Sequence, residues 1–511
     1  MKNRLFLTAV VVVLVILAAG VGRGAGDGMK SLTGDEMRGD LEVLRRTLTT
    51  IHPGVYRYIA PAALDRAFAD AAARLGPAAS EGEFLVVVAQ LVSRIDCGHT
   101  FANPLNQEKD FRARVFDRRA LLPFYFRLID DRMLVTADAS PEKLARGSEI
   151  LKIDGVPVTE IVARLLTVTR ADGTSTRGHR LDSLQLTREE AERFALFDLY
   201  YPLFFPVKND SFEFVVRDFK TGKIRTFRAA ALTKSERSAA MAARFGPPPT
   251  YDDGWRFELR RNGTLGYLKI ANSLTWRLTT VKFKEFLAAA FRELRARDVA
   301  NLVIDLRGNG GGDMEPGFEL ARYLASKTLP PYAASRRLVR SVGPQPELAK
   351  YLDTYSDELL AGLKNGLPAT AYKKAENGYY ELLPDEKLES FPAVEPAADS
   401  FRGRAFVIAD ASNASATFQF LDYVKTHRLA TIVGQPTGGS RQGINGGNYF
   451  FLHLPASRIE IDIPVYFQAP LAPQKDESVI PDVPVKRRPS DVGRDVDREM
   501  ILIERRVESG E

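Results

Sequence analysis

Residues 301–312 read Asn-Leu-Val-Ile-Asp-Leu-Arg-Gly-Asn-Gly-Gly-Gly, and these twelve residues are the most informative about the architecture. The run Leu302–Leu306 has the length and apolar character of a short buried strand. The glycines of Gly308–Gly312 predict a turn, and a helix is predicted directly after it at Phe318–Ser326. A strand, a glycine-rich turn and a helix in succession form the unit from which parallel sheets are built.

The same alternation continues on both sides of this stretch. The predicted elements are a strand Leu265–Ile270, a helix Val281–Arg297, a strand Ala405–Ala409, a helix Ala416–His427 and a strand Ala430–Gly434. Such alternation predicts an α/β core with a mostly parallel sheet. Residues 335–400 are polar and irregular, which predicts a surface excursion that is long enough to cover a site.

The part of the chain before the core has two other patterns. Residues 31–110 predict helices: Thr33 and Glu36 fit a capping box, and an apolar stripe from Phe84 to Ile95 ends at Asp96–Thr100. His99 is therefore expected on a loop just after a helix. From about residue 115 short strands follow, among them a predicted hairpin at Gly147–Val158 with an Asp-Gly turn.

These patterns divide the chain into predicted segments. We expect a signal peptide or membrane anchor at 1–28, a helical region at 29–112, a β-rich domain with a helical insertion at 113–245, an α/β core at 246–495, and a C-terminal tail at 496–511. The fold class is thus α/β within a multi-domain α+β chain.

Composition excludes several functions. The chain has 45% hydrophobic and 27% charged residues with a net charge of +6, and it lacks a basic block with interleaved aromatics. Nucleic-acid binding is therefore not expected. One cysteine and five scattered histidines do not give the spacing of a Cys/His zinc site. We expect no metal and no cofactor.

The N-terminus predicts export. Lys2 and Arg4 precede an apolar run, Leu5–Ala19, and small residues follow it. This order is typical of a secretory signal peptide, although the run is also long enough for an uncleaved anchor. Both interpretations place the rest of the chain in the periplasm or outside the cell, with membrane attachment in the second case.

A second strand–helix junction carries a candidate nucleophile. Ser415 lies among small residues at the predicted start of a helix, where free backbone N–H groups and the positive end of the helix dipole are available. Together with the glycines of the first junction, these N–H groups could form an oxyanion hole. A serine at this position also serves as a simple helix cap, so the segment alone leaves a capping role for Ser412 or Ser415 open.

Four motifs in order resemble those of the tail-specific, or C-terminal processing, serine peptidase family. They are Asp96–Thr100, Asp305–Gly312, Ser415-Ala416 followed by Gly434–Gly439, and Ile480–Val483. The resemblance covers nearly all of the chain after the first segment and is closest to the tricorn-like branch. It implies a ClpP/crotonase-like catalytic core and a PDZ-like domain around Gly147–Val158.

The resemblance also implies roles for individual residues. Ser415 corresponds to the nucleophile, and the oxyanion hole would be formed by the amides of Gly311 (or Gly310) and Ala416. The processing-protease branch uses a lysine as base, but Ser440 occupies its position in this chain. The tricorn-like branch uses a histidine from the N-terminal region, and His99 matches that residue. A histidine that titrates near neutrality suits a general base.

The third catalytic member is less well defined by the resemblance. In the tricorn-like branch a late acidic residue acts through a serine beside the histidine. Glu477 is the choice here, with Asp476 as the alternative, but Gly98 replaces the neighbouring serine. The acid is therefore expected to contact the histidine directly or through a different residue.

The predicted function is hydrolysis of peptides or of unfolded protein C-terminal regions through an acyl-enzyme. Two alternatives remain from the sequence: a non-catalytic ligand- or peptide-binding protein on the same fold, and an esterase acting on small substrates. The sequence fixes neither the natural substrate nor the oligomeric state.

Overall fold

The computed structural model describes residues 28–173, 177–188, 195–383 and 391–510. The predicted signal segment falls almost wholly on residues 1–27 and lies outside the described residues. Among the described residues, no helix combines the length and the apolar character needed to cross a membrane.

The N-terminal region is helical, as predicted. Its elements are β1 (Ser31–Thr33), α1 (Gly34–Thr50), α2 (Pro61–Arg74), β2 (Ala78–Ser80), α3 (Glu81–Ser93) and α4 (Lys109–Val115). Thr33 caps α1 and forms the predicted reciprocal capping box with Glu36. Strands β1 and β2 pair antiparallel. The segment Asp96–Thr100 follows α3 as a loop, so His99 lies where the sequence predicted.

The next region forms an antiparallel sheet flanked by helices. Its elements are β3 (Phe124–Ile129), β4 (Arg132–Asp138), β5 (Glu149–Ile153), β6 (Val156–Pro157), α5 (Val158–Leu165), α6 (Arg177–Asp182), α7 (Leu196–Phe204), β7 (Ser211–Arg217), β8 (Ile224–Ala230) and α8 (Lys234–Phe245). The strand order is β3-β4-β5-β7-β8, with β6 paired to β5. The predicted Asp-Gly hairpin turn is present, with positive φ at both Asp154 and Gly155.

The C-terminal half holds the predicted parallel sheet. Its elements are β9 (Trp255–Arg260), β10 (Leu265–Ile270), α9 (Phe283–Ala296), β11 (Asn301–Asp305), α10 (Glu315–Leu324), β12 (Leu329–Pro331), β13 (Ser335–Val339), α11 (Pro346–Ala349), β14 (Leu352–Asp353), α12 (Asp357–Asn365), β15 (Tyr372–Lys374), β16 (Tyr380–Leu382), β17 (Ala393–Val394), β18 (Arg404–Ala409), α13 (Ser415–His427), β19 (Thr431–Gly434), β20 (Ile444–His453), β21 (Glu460–Pro470), β22 (Val483–Pro484), α14 (Pro489–Arg494) and α15 (Arg498–Ser509). The order is β22-β19-β18-β11-β10-β9, and only the β10–β9 pair of this sheet is antiparallel. The α/β fold class is confirmed.

The expectation of an irregular surface excursion at 335–400 is wrong for much of that segment. Strands β13 to β16 join the long hairpin of β20 and β21 in a second sheet, ordered β14-β20-β21-β13-β16-β15. Its pairs are antiparallel. These strands are short and polar, and β13 and β14 pair with β21 and β20, which come about a hundred residues later or more, so local periodicity did not reveal them.

The segment 496–511, predicted as a C-terminal tail, is mostly helical. Helix α15 spans most of it, and Met500 and Ile503 are buried against the parallel sheet. The amphipathic spacing of these residues gives the helix an apolar face that contributes to the core.

A continuous hydrophobic core fixes the first half of the chain relative to the second antiparallel sheet. It includes α1 and α3, the strands β3 to β8, and residues of β20 and β21. The loop after α3 is also tied to β21, because the Asp462 N–H donates to the Phe101 carbonyl over 3.0 Å. The loop that carries His99 is therefore held in place from both ends.

Candidate active site

Ser415 is the first residue of α13 and follows the carboxyl end of the parallel strand β18. Its φ is +51°, a left-handed conformation that is uncommon for a residue with a Cβ atom. Such strained positions persist where the surrounding structure enforces them, and they concentrate at functional sites. The helix α13 has no side-chain cap, so Ser415 does not cap it.

Ser412, the other serine of this junction, has a structural contact. Its hydroxyl is buried, donates to Asp410 and accepts the N–H of Gly308 over 3.0 Å. It therefore links the two strand–helix junctions to each other. The interpretation of this segment as a plain serine cap is not supported for either serine.

The structure brings His99 and Ser415 together. The Nε2 atom of His99 lies 3.1 Å from the Ser415 Oγ atom, which is within hydrogen-bonding distance. The imidazole is largely buried, and this burial lowers its pKa below the ordinary value of 6.5, because the charged form loses solvation. Arg170 and His179 lower the pKa further, while Asp172 opposes them.

The carboxylate that faces this imidazole comes from an unexpected part of the chain. The Oδ2 atom of Asp172 lies 3.6 Å from Nδ1 of His99, and its Oδ1 atom accepts the Gly98 N–H over 2.9 Å. Asp172 is buried. It lies in the region 113–245, in a segment whose sequence shows no periodicity or motif, so no signal marked it in advance.

Glu477 and Asp476 are not brought to the imidazole. Glu477 is half-exposed, and its carboxylate lies 3.5 Å from Nη1 of Arg441. Asp476 accepts the hydroxyl of Ser440 over 2.9 Å. The geometry therefore does not match the expectation that one of these acids orients His99.

The glycine-rich turn packs directly against Ser415. Gly311 has φ +106°, and a Cβ atom placed on it would lie 2.8 Å from the Cβ atom of Ser415. Its N–H already donates to the Asn309 side chain over 3.0 Å. The N–H groups of Gly310 and Ala416 have no acceptor among the described residues. Of the two glycines predicted for the oxyanion hole, Gly310 thus has the free donor in this conformation.

Asn309 organises this turn and was missed in the sequence. Its amide is buried and donates to the Ile270 carbonyl and to the Ser273 hydroxyl, each over 3.1 Å. Its oxygen also accepts the Thr417 hydroxyl over 2.8 Å. The side chain thereby joins β10, the glycine turn and helix α13, the last of which begins with Ser415.

A cavity of about 710 Å³ opens at these residues. Its wall contains His99, Ser415, Ala416 and the glycines of the turn, together with Trp276 and Tyr449. A pocket of this size holds several side chains of an extended ligand. No cluster of potential metal ligands occurs among the described residues.

Residues 264–457 match the family model described as Peptidase family S41. This region is a peptidase family S41 domain. The prediction of the tail-specific, C-terminal processing family is confirmed, and so is the prediction that the chain is a serine-type peptidase. Comparison with curated protein sequences found no match.

Solved structures with the same fold include CPAF. A CPAF mutant aligns with a TM-score of 0.62 and 15% identity over 90% of this chain and 94% of that chain. Mature CPAF complexed with lactacystin aligns with a TM-score of 0.62 and 15% identity over 92% of this chain and 97% of that chain. At these identities the likeness shows a common fold over 90% or more of this chain.

Proposed function

We propose that this chain is an exported serine peptidase with Ser415 as nucleophile and His99 as general base. The observation that carries the proposal is the 3.1 Å contact between His99 Nε2 and Ser415 Oγ. It lies in a cavity lined by Gly310 and Ala416, whose N–H groups have no acceptor among the described residues. Peptide bonds of peptides or of protein C-terminal regions are the proposed substrates. Export rests on the composition of the N-terminal segment.

The first half of the reaction forms an acyl-enzyme. Nε2 of His99 takes the proton of the Ser415 hydroxyl while Oγ forms a bond to the substrate carbonyl carbon. The carbonyl oxygen becomes an oxyanion, which receives hydrogen bonds from the N–H groups of Ala416 and Gly310. The imidazolium then gives its proton to the departing amine as the C–N bond breaks. Water repeats these steps on the ester and releases Ser415.

The position of Ser415 favours this chemistry. The first turn of α13 places the N–H of Ala416, which has no acceptor among the described residues, and the positive end of the helix dipole beside the developing oxyanion. The lysine base of the processing-protease branch has no counterpart at its position, because that position is Ser440. The Ser440 side chain is buried, and its hydroxyl donates to Asp476. These contacts support the tricorn-like assignment of the base to His99.

Labelling with a fluorophosphonate tests the proposal. Wild-type protein should be labelled, and Ser415→Ala and His99→Ala should lose the label. Ser235→Ala, a change in the exposed first turn of α8, serves as a control that should label like the wild type. The assignment would be contradicted if Ser415→Ala were still labelled, or if the folded wild-type protein were not labelled at all.

Two further measurements distinguish the alternatives. Turnover of matched peptide and ester substrates separates a peptidase from a small-substrate esterase. N-terminal sequencing of the protein from the periplasm or medium tests export and shows whether residues 1–28 are removed. A protein that stays in the cytoplasm would contradict the proposed localisation.

A further inference from the structure

The pair formed by His99 and Asp172 lies outside the predicted set of site residues. Asp172 is 2% exposed, and its two carboxylate oxygens face the loop that carries His99. Nδ1 of His99 is buried and has no hydrogen-bond partner within 3.5 Å among the residues that the structure describes. Oδ2 of Asp172 lies 3.6 Å from this nitrogen. A slight approach of the two atoms would bring them within hydrogen-bonding distance, with the Nδ1–H donating to the carboxylate.

We propose that Asp172 is the positioning residue of this active site and takes the role that the family resemblance assigns to a late acidic residue. This inference rests on the proposed function. Asp172 holds the ring so that Nε2 faces Ser415, and its charge stabilises the imidazolium that forms when Ser415 loses its proton. It contacts neither the substrate nor the reacting atoms.

The backbone of the loop supports this arrangement. A Cβ atom on Gly98 would lie 2.6 Å from Oδ2 of Asp172, closer than a real contact allows. A serine at position 98 and the carboxylate of Asp172 therefore exclude each other in this geometry. Gly98 therefore leaves the space beside Nδ1 of His99 to the carboxylate of Asp172.

Arg170 fixes the loop from the same segment of chain. It donates from Nη1 to the Gly98 carbonyl over 2.6 Å, and its guanidinium stacks on the ring of Phe101. The groups that act electrostatically on the imidazole are Asp172, Arg170 and His179. Asp172 raises the pKa of His99, whereas Arg170 and His179 lower it. Removal of the Asp172 charge therefore leaves the two lowering effects without a counterbalance.

A titration of His99 tests the proposal without any turnover. In a Ser415→Ala background, the imidazole resonances of the five histidines are followed by NMR and His99 is assigned with His99→Gln. Asp172→Asn should lower the His99 pKa by about one unit or more, since an opposite charge at this distance shifts a pKa by about 1–3 units. Glu477→Gln should leave it unchanged. An unchanged pKa in Asp172→Asn, or a shift in Glu477→Gln, would overturn the proposal.

Kinetics provide the second readout. Asp172→Asn should lower kcat/KM by about 10³-fold at little change in KM, as expected when an imidazole loses the carboxylate that orients it. Gly98→Ala should act in the same direction because its methyl group displaces Asp172. Gly39→Ala, on the open face of α1, is the matched control and should have no effect.

The two proposals fail separately. If the wild type shows no Ser415-dependent labelling, the peptidase assignment fails, but the titration still decides whether Asp172 is coupled to His99. If labelling depends on Ser415 while Asp172→Asn keeps the wild-type rate, Asp172 is not the positioning residue. Asp172→Glu, which retains the charge, should recover part of the lost rate. Equal losses in Asp172→Glu and Asp172→Asn would indicate a merely structural role.

Discussion

The Nε2 atom of His99 lies 3.1 Å from Oγ of Ser415, although 316 residues separate the two in sequence. Each residue comes from a different unit: His99 from the loop after α3, and Ser415 from the first turn of α13. The long hairpin of β20 and β21 connects these units, because the loop is tied to Asp462 of β21 and Tyr449 of β20 lies beside the imidazole. The geometry of the pair therefore depends on the second antiparallel sheet as much as on the parallel one.

The pH dependence of the reaction should reflect the burial of His99. A general base must be neutral, and burial lowers the pKa of this imidazole below 6.5. As pH falls, the base therefore stays active until the pH reaches that lowered pKa. We expect the acidic limb of the kcat/KM profile to have its midpoint below 6.5. A midpoint above 6.5 would contradict the assignment of His99 in its buried setting.

Substitution of Gly311 should strongly reduce activity by steric means. In Gly311→Ala the new methyl group would lie 2.8 Å from both the Ala414 carbonyl and the Ser415 Cβ atom. We expect a loss of about 10²–10³-fold in kcat/KM, the size of effect found when an oxyanion donor is displaced. The measurement is steady-state kinetics on protein whose folding is checked by circular dichroism.

Gly155→Ala is the matched control for that substitution. Gly155 also has positive φ, at +81°, but no atom lies within 4 Å of its Cβ position. The change should cost about 1 kcal/mol in stability from backbone strain and leave kcat/KM unchanged. If both variants lost activity equally, strain rather than contact with Ser415 would be the cause.

Asn309→Ala should reduce both stability and activity. The buried side chain makes hydrogen bonds to Ile270, Ser273, Gly311 and Thr417, and its removal leaves these groups without their partners. We expect a loss of about 2–4 kcal/mol in unfolding free energy from such unsatisfied buried groups. The activity per folded molecule should fall too, because the glycine turn loses its anchor. Urea denaturation and kinetics at matched folded fraction measure the two effects.

Asn365→Ala, at the exposed end of α12, controls for the loss of an asparagine. It should change stability by less than about 0.5 kcal/mol, as surface substitutions usually do. Full activity per folded molecule in Asn309→Ala would show that the turn does not need this side chain.

How far the sequence predicts this molecule depends on the range of the interactions. The parallel core followed from apolar runs and glycine turns that are local, as in Leu302–Leu306, and the Thr33 capping box needs only four residues. The contact of His99 with Ser415 was predicted from the order of four motifs that resemble those of a known family. Hydrophobic periodicity alone does not predict which distant residues meet in the fold.

The parts that the sequence did not predict involve partners far away in the chain. Strand β13 pairs with β21, which lies some 130 residues later, so its polar, short sequence shows no strand pattern of its own. Asp172 stands in an irregular segment, and only the folded chain reveals that it faces His99 rather than solvent. Asn309 was visible within the glycine motif, but its role depends on three separate elements that converge on one amide.

Arg307, within the same glycine motif, should be essential for stability. Its guanidinium forms hydrogen bonds to the buried carboxylate of Asp305 and to Asp497 at the start of α15. The arginine and its neighbours hold the pKa of Asp305 well below its usual range, even though burial alone would raise it. A carboxyl with a depressed folded pKa contributes stability above its unfolded pKa, and that contribution is lost as pH falls below it.

Arg307→Met should therefore destabilise the protein by about 3 kcal/mol at pH 7, because it leaves the Asp305 charge buried with weaker partners. The loss should shrink as pH falls below about 4, where Asp305 is protonated in the unfolded chain. Adding Asp305→Asn to the variant should recover part of the stability, since the charge is then gone. Arg297→Met, which breaks an exposed pair with Glu293, is the control and should change stability by less than about 0.5 kcal/mol. Thermal or urea unfolding across pH measures all of these, and equal effects for the two arginines would show that the buried ion pair does not stabilise the glycine turn.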